Sequence, residues 1–204
     1  MTDPMCSWCW GMSAAVEEAV HVLAGEVAFD LLLGGINTHG SQPIGEYGRR
    51  HLLHIWREVR ATTGQEFGMV VPRGLIYNST LACIAIEAVR RRHGRPPFGF
   101  LHRLQQCLFV EGRDISRADV LARIAEEFEW PAAEFLEALN STELHSRVKS
   151  QFASSRGYGT SALPSVLIEQ QGRRRLLFGG YADSPTMIEL IRAAAVPDDE
   201  GPEV

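Results

Sequence analysis

Asp3-Pro4-Met5-Cys6-Ser7-Trp8-Cys9-Trp10-Gly11, near the start of the printed sequence, is the stretch that decides the fold of this chain. Its two cysteines stand three positions apart, where a helical pattern begins. Apolar residues spaced by three and four predict one amphipathic helix over residues 7–24, which Gly25 ends. Thiols at this spacing lie on neighbouring points of a helical turn, within reach of a disulfide bond.

The position of Cys6 and Cys9 at a helix start predicts redox chemistry. A helix N-terminus offers unpaired N–H groups and the positive end of a dipole, and both stabilise a thiolate. We therefore expect Cys6 to have a depressed pKa and to be the exposed, attacking nucleophile. The apolar stripe places Cys9 on the buried face, where it would act as the resolving thiol that releases a mixed disulfide.

Ser7 and Trp8, which separate the two cysteines, are candidate substrate-binding residues. Ser7 is small and polar, and its hydroxyl can donate a weak hydrogen bond to the Cys6 thiolate. Trp8 either contacts an unfolded client from the exposed end of the helix or packs near the domain surface. The sequence leaves both interpretations of Trp8 open.

A Cys-x-x-Cys pair is also found as half of a zinc site, which needs two further ligands. The remaining cysteines, Cys83 and Cys107, stand apart from each other, and neither has a histidine in a recognisable ligand spacing. Each lies beside an apolar helical stripe, so both are predicted to be small core residues. We therefore predict no metal site and no cofactor.

Composition narrows the class of partner. The chain has 204 residues, 45% of them hydrophobic, and a net charge of −5, which argues against nucleic acid as a principal partner. No apolar run approaches the roughly 20 residues that a membrane helix needs, and no signal-peptide pattern is visible. We expect a cytoplasmic protein with no membrane partner, in a compartment that keeps stray thiols reduced.

Periodicity along the chain predicts a mixed architecture. The apolar run over residues 27–33 predicts a buried strand, and helical spacing prevails from about 45 to 157. Two strand-like segments, 165–169 and 175–178, flank a Gln171-Gly172 turn and predict a hairpin. A last helix opens at Ser184-Pro185.

This order of elements predicts an α/β fold with discontinuous domains. Residues 1–44 and 158–197 would form one domain, and residues 45–157 a helical insertion domain. Residues 198–204 are predicted to be an acidic, disordered tail.

The nine-residue stretch resembles the active-site segment of the DsbA-like thioredoxin-fold proteins and is most similar to their FrnE-like, predicted disulfide isomerase branch. Three further stretches resemble the same branch: Leu33-Gly34-Gly35-Ile36, Leu108-Phe109-Val110-Glu111-Gly112-Arg113-Asp114-Ile115 and Thr160-Ser161-Ala162-Leu163-Pro164-Ser165. The resemblance implies a thioredoxin-like fold with a large all-helical insertion between the second strand and the C-terminal β-hairpin.

The resemblance also implies roles for the segment before the hairpin. Pro164 would be a cis-proline opposite the dithiol, and proline is the one residue for which a cis bond costs little. The Leu163 backbone would then lie beside Cys6, where it can pair with an extended client strand.

One departure from the family pattern concerns the N-terminus. Family members have a β-strand directly before the Asp-Pro segment, whereas here only Met1 and Thr2 precede Asp3. Losing a central strand would expose unpaired neighbouring strands and leave a gap in the core. We therefore expect that an N-terminal segment is missing from the printed sequence.

The dithiol and the resemblance together predict a protein disulfide oxidoreductase or isomerase. Its partners would be thiol- or disulfide-containing proteins or peptides, with glutathione as a further candidate. One alternative is a glutathione-dependent kappa-type transferase or isomerase, although such enzymes typically use a single Ser or Cys at the first active position. The other is a non-catalytic client-binding or zinc-binding module.

Overall fold

The computed structural model describes residues 1–195, which form nine α-helices, one 3₁₀ turn and a two-stranded sheet. In chain order these are α1 (Ser7–Gly11), α2 (Ser13–Val22), α3 (Glu46–Thr63), α4 (Thr80–His93), α5 (Phe98–Phe109), α6 (Ala118–Glu126), α7 (Ala132–Leu139), α8 (Thr142–Ser155), the 3₁₀ turn Arg156–Tyr158, β1 (Ser165–Gln170), β2 (Arg173–Gly179) and α9 (Ser184–Ala195). The predicted acidic tail, residues 198–204, lies outside the described residues.

The helix predicted over residues 7–24 is divided in two at Met12. The hydroxyl of Ser13 donates a 2.8 Å hydrogen bond to the carbonyl of Trp10, and such side-chain bonds compete with the helical backbone ladder. The short α1 therefore carries the two cysteines, and α2 continues toward Gly25, which adopts a φ of +86°.

The predicted hairpin is confirmed. Strands β1 and β2 pair antiparallel, with a register irregularity between Val166 and Leu167. The two turn residues, Gln171 and Gly172, have φ values of 51° and 73°, and two-residue hairpin turns with both φ values positive suit the twist of the flanking strands.

The strand predicted over residues 27–33 is wrong as a regular element. Within the described residues, its only strand-like pairing is a parallel bridge between Thr2 and Leu33. Thr2 donates to the Leu32 carbonyl and accepts from the Gly34 N–H, each at 2.9 Å. The apolar pattern places the segment beside the core, but a strand also needs a hydrogen-bonded neighbour along its length.

A groove of about 840 Å³ separates residues 27–32 from strand β1. Met1 is one of its lining residues, and the Ser165 N–H donates to the Met1 carbonyl at 3.1 Å. Side chains of α2 and α9 line its apolar wall. Met1 and Thr2, which lead into the redox segment, thus hydrogen-bond to Ser165 on one side and to residues 32 and 34 on the other.

Buried apolar side chains form two clusters. The larger one fills the helical block and includes Trp56 and Phe109, whose rings meet edge to face at 5.5 Å. The smaller one joins α2 to α9 beneath the hairpin.

Among the helices of the described residues, none has the length and hydropathy to cross a membrane. The domain boundaries at 44/45 and 157/158 stay a prediction.

Gly11 is required where α1 crosses α3. A Cβ at this position would lie 2.5 Å from Cγ1 of the buried Val59 and 3.0 Å from Cγ2 of Thr63. We expect Gly11→Ala to lower the free energy of unfolding by about 1–3 kcal/mol through overpacking, as measured by urea denaturation. The control is Gly99→Ala in α5, where the nearest atom would be 3.9 Å away. Equal stability of the two variants would contradict this packing account.

Candidate active site

Cys6 is the N-cap residue of α1, and its sulfur forms part of the cap. Cys6 has extended backbone angles (φ −79°, ψ 114°), and its Sγ accepts a 3.2 Å hydrogen bond from the Cys9 N–H. The Cys6 N–H in turn donates to the Asp3 carbonyl at 3.2 Å. Both cysteines are free thiols, so the structure shows the dithiol form.

The segment before the hairpin faces this dithiol. The Leu163–Pro164 peptide bond is cis, and the Cys6 Sγ donates to the Leu163 carbonyl at 3.5 Å across 157 residues of sequence. Leu163 rests against Gly34, where an added Cβ would come within 2.7 Å of the leucine Cδ1. The structure thus brings Cys6, Leu163 and Pro164 together; their roles stay predictions.

Trp8 and Ser7 have different surroundings. Trp8 is half-buried, and its ring centre lies 6.3 Å from that of Tyr181, which follows the hairpin. Ser7 is buried and lies beside the phenol of Tyr77, and its hydrogen bond to a Cys6 thiolate stays a prediction. The Tyr77 hydroxyl donates a 2.7 Å hydrogen bond to the Met5 carbonyl, which steadies the turn that leads into Cys6.

The depressed pKa predicted for Cys6 is wrong for this dithiol. Burial raises the pKa of the Cys6 thiol well above its usual range, and the adjacent Cys9 raises it further. The hydrogen bond from the Cys9 N–H lowers the pKa of Cys6. The dipole of a five-residue helix and this one bond stabilise the thiolate less than its removal from water destabilises it. A thiol that donates to the Leu163 carbonyl is also favoured in its protonated form.

The predicted contrast between an exposed Cys6 and a buried Cys9 is also wrong. The two residues are 6% and 5% exposed. The apolar stripe indicates which face of α1 packs against residues that are near it in sequence. The Leu163–Pro164 segment covers the other side of α1. This contact could not be predicted from the stripe, because Cys6 and Leu163 are 157 residues apart in the sequence.

The sequence interpretation missed Asp3, whose carboxyl is fully buried beneath the turn. It accepts hydrogen bonds from the Ser79 hydroxyl at 2.6 Å and from the Met5 N–H at 2.8 Å, and the Cys83 thiol lies 3.6 Å away. Burial raises the pKa of Asp3 to about 6 despite these hydrogen bonds. The sequence did indicate one thing, an acidic residue three positions before the first cysteine of a redox pair. Residue spacing did not indicate that Ser79 and Cys83 would contact its carboxyl.

The other two cysteines lie in the large apolar cluster, as predicted. Cys83 and Cys107 are both fully buried, and burial raises the pKa of each thiol. Within residues 1–195, no group of three or more histidine, cysteine or acidic side chains is placed to hold a metal ion.

The fold that carries these residues is thioredoxin-like, with helices inserted between the dithiol helix and the hairpin. A family model described as a DSBA-like thioredoxin domain matches residues 1–189, and the chain belongs to that family. The predicted family and fold class are therefore confirmed.

Solved structures of similar proteins agree with this assignment. A candidate protein disulfide isomerase from Nitrosomonas europaea is 28% identical, with a TM-score of 0.84 over 94% of this chain and 93% of that chain. The cytosolic disulfide reductase DsbM from Pseudomonas aeruginosa is 25% identical, with a TM-score of 0.74 over 97% of this chain and 91% of that chain. A second DsbM structure contains glutathione and aligns with a TM-score of 0.72.

Curated relatives are more distant. The ClpXP adapter protein SpxH of Halalkalibacterium halodurans is 22% identical over 177 residues, which are 81% of this chain and 56% of the relative. SpxH of Bacillus subtilis is 27% identical over 146 residues, which are 68% of this chain and 46% of the relative. The chain thus spans about half the length of the curated relatives it matches.

The raised pKa of Asp3 predicts an unusual pH dependence of stability. Between pH 3.8 and about 6 the folded protein keeps the Asp3 proton, whereas the unfolded chain has released it. The contribution of Asp3 to the free energy of unfolding therefore falls by about 3 kcal/mol as the pH rises through this window. In reducing urea titrations, the stability of Asp3→Asn relative to the wild type should rise by most of this amount, about 2.4 kcal/mol, from pH 4 to pH 7.

Asp183→Asn is the control for this prediction. Asp183 is exposed, and hydrogen bonds from Thr186 lower its pKa, so its contribution to stability is lost as the pH falls. The two variants should therefore differ from the wild type with opposite pH trends. A pH-independent difference between Asp3→Asn and the wild type would show that Asp3 does not titrate in this window.

Proposed function

We propose that this chain is a thiol–disulfide oxidoreductase that reduces or isomerises disulfides in protein or peptide clients through Cys6 and Cys9. The observation that carries the proposal is the 3.5 Å contact between the Cys6 Sγ and the Leu163 carbonyl. It sets the attacking sulfur beside a backbone segment that can pair with an extended client strand. Membership of the DSBA-like family supports the same reaction class.

The first step joins Cys6 to the client. Cys6 loses its proton, and the thiolate attacks one sulfur of the client disulfide. A Cys6–client S–S bond forms while the client S–S bond breaks. The bonding electron pair leaves on the second client sulfur, which takes up a proton.

The second step releases the client. Cys9 loses its proton and attacks the Cys6 Sγ, which forms the Cys6–Cys9 disulfide and expels the remaining client sulfur as a thiolate that is then protonated. Two electrons and two protons have passed from the dithiol to the client. Two molecules of a low-molecular-weight thiol would restore the dithiol and leave as their own disulfide.

The surroundings of Cys6 favour the reducing direction. A strong oxidant such as DsbA owes its potential to a stabilised reduced form, which a thiolate of low pKa provides. Here burial and a neighbouring thiol raise the pKa of Cys6, so that stabilisation is missing. The similarity to a cytosolic disulfide reductase, which has also been solved with glutathione, supports a cytoplasmic reductase and glutathione as the restoring thiol.

The test is equilibration in a series of glutathione buffers, followed by alkylation of free thiols and mass spectrometry. We expect one two-electron transition confined to Cys6 and Cys9, with a midpoint nearer the roughly −270 mV of thioredoxin than the roughly −120 mV of DsbA. Cys83 and Cys107 should remain thiols throughout. Cys9→Ser should abolish the internal disulfide and leave Cys6 joined to glutathione.

Two results would overturn the oxidoreductase proposal. If Cys6 and Cys9 form no disulfide at any buffer ratio, and zinc is bound and lost in Cys6→Ala, the chain is a zinc-binding module. If a glutathione-dependent transferase or isomerase activity survives in Cys9→Ser, the chain belongs with the kappa-type enzymes. Metal analysis and activity assays on the same samples distinguish these outcomes.

We further propose that Trp8 contacts the client, because it separates the two cysteines in α1 and its half-buried ring lies beside that of Tyr181. Trp8→Ala should raise KM for a peptide disulfide several-fold while leaving the reduction midpoint in place, because large aromatic anchors supply much of the binding energy at interfaces. The control is Tyr47→Ala on α3, which removes a ring that is 79% exposed. An unchanged KM, or an equal change in the control, would assign Trp8 to packing.

A further inference from the structure

Residues 33–36 lie between the helical insertion and the segment that faces the dithiol. The side chain of Leu163 rests on Gly34 so closely that a Cβ added to the glycine would come within 2.7 Å of the leucine Cδ1. The ring of Phe152 covers Gly35 in the same way, at 2.8 Å from an added Cβ. The position of Leu163 therefore depends on where this backbone is held.

Gln151 of α8 holds the same backbone through its side-chain amide. Its Oε1 accepts a 3.1 Å hydrogen bond from the N–H of Leu33, which is fully buried. Its Nε2 donates to the Oε2 of Glu87 on α4 at 2.9 Å. The amide thus uses both its oxygen and its nitrogen, and its orientation is fixed because a carboxylate accepts hydrogen bonds but does not donate them.

Glu87 is a charged group that the fold removes from water. Its side chain is 1% exposed, the Arg147 Nε donates to its Oε1 at 2.9 Å, and the Arg90 Nε lies 3.2 Å from its Oε2. The Arg90 guanidinium also donates to the Leu31 carbonyl at 2.5 Å. Burying a charge is costly unless the charge is paired and hydrogen-bonded. Two of the three partners of this carboxylate also hydrogen-bond to the backbone that leads into Gly34.

The backbone of residues 32–34 has few other restraints. Among the described residues, it is hydrogen-bonded to Thr2 on one edge and to Gln151 on the other. A two-stranded bridge of this length gives little stability by itself. Without the Gln151 amide, the N–H of Leu33 would be buried without a partner, and the cost of leaving it so favours movement of this backbone.

Building on the disulfide exchange proposed above, we propose that Gln151 is a positioning residue that keeps the Leu163 backbone in place beside Cys6. It acts through the backbone of residues 33 and 34, on which Leu163 rests. The Leu163 carbonyl accepts from the Cys6 thiol at 3.5 Å, and the Leu163 backbone is the segment that would pair with a client strand. Both contacts depend on position, because a hydrogen bond is lost when its two atoms separate by about 1 Å.

Gln151→Leu is the test variant, because leucine has a similar volume and forms neither hydrogen bond. It is assayed with a peptide disulfide, which can pair with the Leu163 backbone, and with hydroxyethyl disulfide, which has no peptide backbone. Glutathione restores the dithiol in both assays. We expect the ratio of kcat/KM for the peptide to kcat/KM for the small disulfide to fall about fivefold, through a higher KM for the peptide. An unchanged ratio would contradict the proposed role in client binding.

The second measurement needs no client. A thiol that donates to a carbonyl is favoured in its protonated form, so displacement of Leu163 should leave more of Cys6 as the reactive thiolate. The rate of Cys6 alkylation by iodoacetamide at pH 7.5 should rise about fivefold in Gln151→Leu, with tandem mass spectrometry to separate Cys6 from Cys9. An unchanged alkylation rate in the folded variant would overturn the proposal.

Arg147→Ala is the matched control. Within the described residues, the hydrogen bonds and ion pairs of Arg147 go to Glu87 alone. Its removal leaves the buried carboxylate with one partner fewer, so the variant should lose stability in urea, as Gln151→Leu does. It should keep the wild-type substrate ratio and alkylation rate. If Arg147→Ala changes both as much as Gln151→Leu does, the two variants report only a loss of stability and the proposal fails.

Gly34→Ala reaches the same contact from the other side and keeps the proposal testable if Gln151→Leu does not fold. The added methyl group would displace Leu163 while the hydrogen bond between Gln151 and Leu33 stays in place. We expect the same fall in the substrate ratio and the same rise in the alkylation rate. Wild-type values of both in Gly34→Ala would show that the position of Leu163 does not depend on this backbone.

These measurements separate the role of Gln151 from the proposed function. Alkylation requires no disulfide, so it reports on Cys6 even if the dithiol never cycles. A normal glutathione titration, with an alkylation rate that Gln151→Leu leaves unchanged, would retain the oxidoreductase and reject the role of Gln151. Faster alkylation in Gln151→Leu, in a protein whose Cys6 and Cys9 form no disulfide, would retain the role of Gln151 and reject disulfide exchange.

Discussion

The contact between the Cys6 sulfur and the Leu163 carbonyl is the constraint on which the rest of the structure depends. The two residues are 157 positions apart, so closing this distance costs a large loop entropy that packing elsewhere must offset. Two arrangements achieve it. Helices α2 and α9 share the smaller apolar cluster, and Gly34 permits Leu163 to lie directly against the backbone. A side chain at Gly34 would push the cis-proline segment away from the dithiol.

Burial, more than the helix terminus, determines the chemistry of Cys6. A thiol at an N-cap gains from the N–H groups of the helix, and the Cys9 N–H provides one such bond. Yet α1 has five residues, and both sulfurs are almost removed from water. Desolvation penalises the thiolate more than one hydrogen bond favours it, so the same motif that serves an oxidant in a more open site forms a poorly ionised dithiol here.

Local patterns predicted much of the fold. Spacing alone indicated the helical block and the dithiol helix, and Gln171-Gly172 indicated the hairpin. The errors arose where an outcome depended on distant neighbours. The segment 27–33 has the pattern of a strand but, within the described residues, pairs only through Thr2. The exposure of Cys6 depends on Leu163, and the burial of Asp3 depends on Ser79, so neither can be read from the residues next to it.

The helical insertion contributes side-chain contacts to the active-site turn of the thioredoxin-like part. Tyr77, Ser79, Cys83 and Gln105 all belong to it or to the loop that leads into α4, and all contact residues of the turn before Cys6. Their contacts reach Asp3 and Met5, whereas Leu163 and Trp8, which we propose to face the client, contact Cys6 and Tyr181. The insertion therefore supports the turn that carries the dithiol through contacts that Leu163 and Trp8 do not share.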